Sequence, residues 1–429
     1  MKKKYHISLE KMWQFFLVCA VTLICVGGVS PYPHNLRMPC IYACAAGFAA
    51  VLVFRQRRVR LTLPIAFFLY TLVYLVISIF YSYSAAVTKS LAVVYLCGTI
   101  LLLVDLPETL YDRIIAAMEI ICIVIALSIL VSFFVEDSMT KYFSFIVNPN
   151  NSPEIANTLW QEVHYSRSHS GFAREKAEAA FIMNVGLVVV FSRLFSGKKF
   201  RFRDGVELLL LAFALVLTGK RMLFLCPILC CAALFLFFDR KGLLLKILPA
   251  LLVSICVIYY VLSLFPDFRT VFDRFADQET MQTLTGRTDL WELSFSMFRE
   301  KPLFGMGLGA FNSYAYTQNV TALRGSYAYG HNIYFELLGE LGIVGFTLIF
   351  TALIMTFFGS IVILKQKDLS PDRRRRMIFS FSIQLICFIY GFTGNVLLYS
   401  QQIFIWYLAA SIYFDTQINH YKTKESVAL

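Results

Sequence analysis

The sequence predicts an all-α fold: a polytopic integral membrane protein with about twelve transmembrane helices and a large extracytoplasmic loop carrying short interfacial helices. Three observations predict it. Mean hydropathy is +0.67, and 58% of the 429 residues are apolar against 15% charged, outside the range of soluble globular chains. Apolar runs of about 17 to 25 residues, each long enough to cross roughly 30 Å of hydrocarbon as a helix, recur along nearly the whole chain. The short segments between them alternate between rich and poor in lysine and arginine, as orientation in a membrane demands. Backbone groups in lipid find partners only within a helix or a closed barrel, and these runs are too long and too uniformly apolar for barrel strands.

In order, the predicted spans lie near 12–29, 38–54, 61–83, 85–104, 114–135, 177–195, 206–219, 221–238, 247–265, 333–364, 377–396 and 398–416. The first follows Lys2-Lys3-Lys4 without a small-residue cleavage site after it, so it is read as a retained span. The basic loops at 55–60, 198–203, 239–241 and 373–376 then share one side. By the positive-inside rule that side is the cytoplasm, and both termini lie there. Membrane orientation explains much of the net charge of +12, and no nucleic-acid partner is needed for it. The eleven cysteines fall almost all inside spans and are read as small apolar packing residues, with no disulfide or metal-ligand spacing. The chain divides into an N-terminal bundle of about nine spans at 1–265, with an outer loop at 136–176; a large extracytoplasmic loop at 266–332; and C-terminal helices with a cytoplasmic tail at 333–429.

The outer segments hold the polar chemistry. In Asp289-Leu290-Trp291-Glu292 a capping box predicts a short helix. Leu290, Trp291, Phe295 and Phe298 would turn its apolar side down onto the outer leaflet, and the start of the helix would hold Arg287 at the surface. The turn Thr218-Gly219-Lys220-Arg221 breaks the positive-inside pattern with two outer cations. Snorkelling to lipid phosphates is one reading. A phosphate-bearing ligand is the other, since arginine grips phosphate bidentately and stays charged at any pH. Arg287 is either a solvated surface residue or a second such group, and two converging arginines would suit a diphosphate and the charge on it as it departs.

His331 stands at the mouth of the 333–364 span, followed by Asn332. It is read as a buried polar ring able to accept a proton or donate a hydrogen bond near neutrality, with a helix-start polar residue as the plain alternative. Glu336 and Glu340 share one helix face beyond it and rank second, since buried carboxylates there more often serve structure than act as bases. Gly305-Met306-Gly307-Leu308-Gly309 lacks the dinucleotide spacing and predicts a turn of close backbone approach. No Walker, zinc-protease or serine-elbow motif occurs, which argues against ATP-driven transport and ordinary hydrolysis. In the first outer loop, the run from His164 to Phe172, including Arg167, and then Arg174-Glu175-Lys176 suit sugar hydroxyls and phosphate but are equally ordinary in any solvated loop.

Taken in order, three elements resemble the O-antigen ligase and polymerase family of bacterial envelope glycosyltransferases: Gly286-Arg287…Trp291, the run from Pro302 to Gly309, and His331-Asn332-Ile333-Tyr334…Glu340-Leu341-Gly342. Thr218-Gly219-Lys220-Arg221 and the run from Gly171 to Glu175 add to the resemblance, although Lys220 stands where a small residue often precedes the arginine. The resemblance implies a C-type glycosyltransferase fold in the bacterial cytoplasmic membrane, its active site facing outward. Such an enzyme moves a glycan from undecaprenyl diphosphate to an acceptor hydroxyl with no cofactor, neither metal nor nucleotide sugar. It assigns Arg221 and Arg287 to the diphosphate and His331 to the acceptor hydroxyl. Around these catalytic candidates, Lys220, Arg167, Glu175, Asn332, Tyr334, Glu336, Glu340 and Trp291 are the substrate-binding candidates. The expected partners are the lipid-linked donor, a glycan or lipid-linked acceptor, membrane lipids, and chain-length regulator and flippase proteins. Polymerisation of repeat units is the expected activity, with ligation of finished glycan to a lipid A core or other anchor as the nearest alternative. A glycan flippase or permease fits less well, because the spans are nearly free of charge; Glu119 is the main exception.

Overall fold

The computed structural model describes residues 9–25, 34–54, 56, 59–164, 168–197, 201–237, 284–318 and 329–428. These residues form helices α1 (Leu9–Cys25), α2 (His34–Phe54), α3 (Leu63–Ser78), α4 (Ala85–Leu103), α5 (Glu108–Phe134), α6 (Ser138–Lys141), α7 (Ser144–Val147), α8 (Pro153–His164), α9 (Lys176–Phe195), α10 (Phe202–Leu217) and α11 (Arg221–Phe237). After the undescribed stretch come α12 (Leu284–Glu300), α13 (Phe311–Thr317), α14 (Ile333–Leu364), α15 (Pro371–Gly391) and α16 (Ser400–Ala428). No strand occurs among the described residues. Of these helices α4, α5, α9 and α14 are long and apolar enough to cross a membrane, and α1, α2, α3 and α11 are shorter apolar helices. All the predicted spans but one coincide with a helix; the one at 247–265 lies outside the described residues.

The helix α9 is the centre of the bundle. Every residue of it except Lys176, Ala177 and Arg193 is buried, as expected of a helix that is apolar all round. Its one mid-helix amide is satisfied: Asn184 Nδ2 donates to the carbonyls of Ala180 and Leu223, each at 2.9 Å, which ties α9 to α11. Small residues let the other helices close in. A Cβ on Gly98 of α4 would lie 2.3 Å from the Tyr407 ring of α16, and one on Gly345 of α14 would lie 2.4 Å from Tyr74 of α3.

At one end of the bundle the arginines are tied to carboxylates. Arg193 of α9 pairs with Glu119 at 2.8 Å, with Asp204 at 2.7 Å and with Glu207, and Arg203 of α10 joins Glu119 and Glu207. The run from Arg373 to Arg376, expected as a loop, is instead the first turns of α15, where arginine is a good helix former. Ser370 caps that helix, and the arginines reach Glu108 and Asp112 at the start of α5. Glu119, the one carboxylate that had favoured a transport reading, is thereby accounted for as a structural partner.

Candidate functional site

The opposite end is built on a break in α14. Gly342 has φ 60° and ψ −175°, a conformation open essentially to glycine alone, so the helix is interrupted there. The amides freed by the break are taken up by the preceding loop: Ile343 donates to the Pro302 carbonyl at 2.9 Å and Val344 to that of Leu303 at 3.2 Å. In return, Gly307 N–H donates to the Glu340 carbonyl at 2.8 Å. The Glu340 side chain accepts from the amides of Gly309 at 2.7 Å and Phe311 at 2.9 Å. The predicted close approach is real: a Cβ on Gly305 would sit 2.3 Å from the Glu340 carbonyl oxygen. The Tyr74 hydroxyl lies 2.6 Å from the carbonyls of both Phe304 and Leu341 and fastens the loop to α3. Glu340 is therefore a clamp on the loop, fully buried with both carboxylate oxygens engaged, and is not placed to meet a substrate.

Two expectations for α12 are corrected. The helix begins at Leu284, so Asp289 lies inside it rather than at its cap, and Arg287 is in its first turn. Its apolar side faces protein, not lipid. Leu290, Leu293 and Met297 are buried, Trp291 and Phe295 pack on Phe335 of α14 with centroids 5.7 and 4.8 Å apart, and a Cβ on Gly339 would come within 2.6 Å of the Ser294 carbonyl oxygen. Packing on a neighbouring helix with a glycine-lined surface buries the stripe more completely than a headgroup layer would.

This docking fixes Arg287 beside the start of α14. Asn332 caps that helix, its Oδ1 accepting from Tyr334 N–H at 3.0 Å and Phe335 N–H at 3.3 Å. On its other flank Gly330 N–H donates to Glu336 Oε2 at 2.8 Å. Between these two anchors His331 is held at φ 49°, a left-handed conformation that costs a non-glycine residue about 1 kcal/mol. Its side chain is open to solvent rather than buried. Surrounding protein nevertheless desolvates it, and Arg287 and Lys220 add positive charge, so its pKa falls from 6.5 to about 4. At neutral pH the imidazole is uncharged and keeps a free lone pair.

Lys220 arrives from the α10–α11 turn, where Gly219 takes φ 67°. Burial pulls its pKa down; Lys176 and Arg287 act in the same sense, and Glu175 and Glu162 oppose them. Lys220, Arg287 and His331 thus lie within electrostatic range of one another although they are far apart in the chain. Neither Lys220 nor Arg287 forms an ion pair among the described residues. Arg221 opens α11 next to Lys220 and is half-buried. Tyr390, at the end of α15, is also within range of Arg287 and Glu175. Tyr399, whose hydroxyl bonds Tyr329, closes that side.

The remaining candidates separate. Glu175 is exposed at the rim. Asn332 serves the helix cap, Tyr334 donates to the Phe388 carbonyl at 2.6 Å, and Glu336 is fully buried against Gly330. Trp291 packs on Phe335, its indole N–H buried without a partner. Arg167 lies outside the described residues. Sequence reasoning had not singled out Glu162, Tyr390 or Tyr399. The two tyrosines sit in or beside apolar runs with no local polar pattern, and their one signal was a hydroxyl-bearing ring near a helix end. Among the described residues no three His, Cys, Asp or Glu side chains could share a metal ion.

Residues 207–350 match the family model described as O-antigen ligase. That window runs from α10 into α14 and includes Lys220, Arg221, Arg287, the glycine loop, His331 and the Gly342 break. The exopolysaccharide production protein ExoQ of Rhizobium meliloti (strain 1021) is 28% identical over 116 residues, which is 26% of this chain and 26% of that relative. The chain thus matches about a quarter of the curated relative's length. The stretch that breaks a membrane helix, folds a glycine loop into the gap and carries the cations around His331 is the stretch the family model covers, and over it this chain is similar to the O-antigen ligase family.

Proposed function

We propose that the protein is a membrane glycosyltransferase that polymerises undecaprenyl-diphosphate-linked repeat units at the outer face of the cytoplasmic membrane. The observation that carries this reading is the approach of Lys220 and Arg287, neither ion-paired among the described residues, to a neutral His331. Two cations with no ion pair among the described residues suit a dianionic diphosphate, and Arg221 beside Lys220 adds a bidentate fork. The acceptor hydroxyl oxygen attacks the anomeric carbon from the face opposite the carrier. The new glycosidic C–O bond forms as the bond to the diphosphate oxygen breaks, and the diphosphate leaves with the electron pair, its charge stabilised by the cations. His331 takes the hydroxyl proton.

The charges that hold His331 near 4 in the empty site are the ones a bound diphosphate would offset. Donor binding therefore raises the basicity of the imidazole when a base is needed. The free energy resides in the glycosyl diphosphate bond, so the step needs no nucleotide. The relative's name, an exopolysaccharide production protein, supports a polymer as product. The family's description supports a second reading, ligation of finished glycan to a lipid anchor. The test supplies the purified protein with lipid-linked repeat units and no nucleotide. A ladder of lengthened glycans is expected. A single transfer to a different lipid would favour ligation, and no transfer to any acceptor would overturn both.

A further inference from the structure

The tip of the glycine loop has its backbone satisfied by protein while its apolar side chains are left bare. The carbonyls from Lys301 to Phe304 accept in turn from the amides of Gly305, Ile343 and Val344 and from the hydroxyls of Tyr74 and Tyr81. Those of Met306, Gly307 and Leu308 accept from Tyr83 N–H at 2.9 Å, Ala310 N–H at 3.1 Å and Thr88 Oγ1 at 2.7 Å. Leu303 and Phe304 nevertheless remain 57% and 55% exposed. A loop in water can leave its carbonyls to solvent, and bare apolar side chains at its tip are unfavourable there. Irregular backbone beside lipid must find its partners in protein, because hydrocarbon offers no hydrogen bonds.

Two helices set the depth of this tip. The 32 residues of α14 measure about 48 Å at 1.5 Å per residue, whereas hydrocarbon is roughly 30 Å thick. The helix ends at the polar run Lys365-Gln366-Lys367, so the roughly twenty residues that cross hydrocarbon run back from Leu364 to about residue 345. Ile343 and Val344, which hold the tip, then stand at the border between acyl chains and headgroups. The end of α3 agrees. Phe80, just beyond it, is 88% exposed, and the hydroxyl of the next residue, Tyr81, reaches the Phe304 carbonyl at 3.1 Å. Val73 and Ile77 on α3 and Ile343 and Val344 on α14 are exposed apolar side chains as well, so the bare tip continues a surface that lipid covers. Charge marks the headgroup side. Arg299 and Glu300 are exposed immediately before the tip, and Lys301 Nζ lies 5.9 Å from the centre of the Tyr83 ring.

We infer that Leu303 and Phe304 insert into the acyl layer of the leaflet nearer His331, and that the partner of this surface is lipid. The chain between α12 and α13 is then a re-entrant segment, not a loop in water, and α12 with its Arg287 is held at a set depth in the bilayer. The test reconstitutes the full chain into phosphatidylcholine vesicles, with and without bromine on the acyl chains, as wild type, Phe304→Trp and Leu303→Trp. Emission of the four native tryptophans, read from the wild type, is subtracted. Both positions are exposed, and two variants guard against misfolding of one. Phe358→Trp, at an exposed position well inside α14, serves as the lipid-facing control. The indole added at either tip position should lose most of its emission to brominated chains, as in the control, and little to iodide in the buffer. Quenching by iodide in place of brominated chains would put the tip in water and overturn the inference. Shielding from both quenchers would mark a protein partner and overturn it equally.

Discussion

The two ends of the helix bundle both carry arginines, and they treat them in opposite ways. At the end where α5 and α15 begin, cations are matched. Arg60 lies between Asp105 and Asp415, Arg376 between Glu108 and Asp112, and Arg193 among Glu119, Asp204 and Glu207. At the end where α9, α11 and α14 begin, Lys220 and Arg287 lie within electrostatic range of each other and of His331, with no ion pair among the described residues. The contrast teaches what each charge is for. A desolvated arginine with its carboxylates in place holds helices together. A partly desolvated cation with no ion pair, as Lys220 is, is held less favourably in its charged form, and an anionic ligand relieves it.

The largest effect that sharpens this comparison is expected at Arg193. Arg193→Leu leaves Glu119 and Glu207 with Arg203 alone and removes the ion pair of Asp204, and should destabilise the fold by about 3 to 5 kcal/mol, read by thermal unfolding in detergent. Turnover per folded molecule should stay the same; a catalytic loss without unfolding would break the comparison. Next comes Arg287→Ala, expected to lower kcat by about 10² to 10³ through loss of one charge-stabilising group. Because Arg287 is exposed, stability should change by no more than about 0.5 kcal/mol. Arg221→Lys keeps the charge and removes the fork, and should cost about tenfold in kcat/KM; full activity would take Arg221 off the diphosphate.

The smallest expected effect is in pH. The acid limb of kcat/KM, which reports the free protein, should fall near pH 4, and the limb of kcat, which reports the donor complex, at higher pH. Coincident limbs would remove the electrostatic link between donor and histidine. Stability has a definite sign as well. The folded pKa lies below the unfolded value of 6.5, so the unfolded chain binds the proton first and His331 lowers stability as pH falls from 6.5 towards 4.

Much of the architecture is legible in the chain because hydrophobic runs are local signals. The spans from α1 to α5, α9 to α11 and α14 to α16 could be placed from composition alone. Errors fell where a partner distant in sequence overrides local preference. The capping box at Asp289 is a good local signal, yet α12 starts at Leu284 because its apolar stripe docks on α14. The arginines from 373 to 376 look like a loop and are helix, since Glu108 and Asp112 await them on α5. Within the run at 333–364 the break at Gly342 is invisible to hydropathy, because the amides it frees are satisfied by carbonyls some forty residues upstream.

By itself, the sequence determined that the chain is helical and membrane-embedded, and it marked Lys220, Arg221, Arg287 and His331 as polar groups set at the edges of apolar helices. Those conclusions follow from the cost of exposing apolar surface and burying charge, which each short segment carries with it. Only the tertiary structure decided that Glu340 is a clamp, that Glu119 is a paired strut, and that Glu162 lies within electrostatic range of Lys220. What a carboxylate or a ring does depends on which group is brought opposite it, and that is settled by packing between segments far apart in the chain.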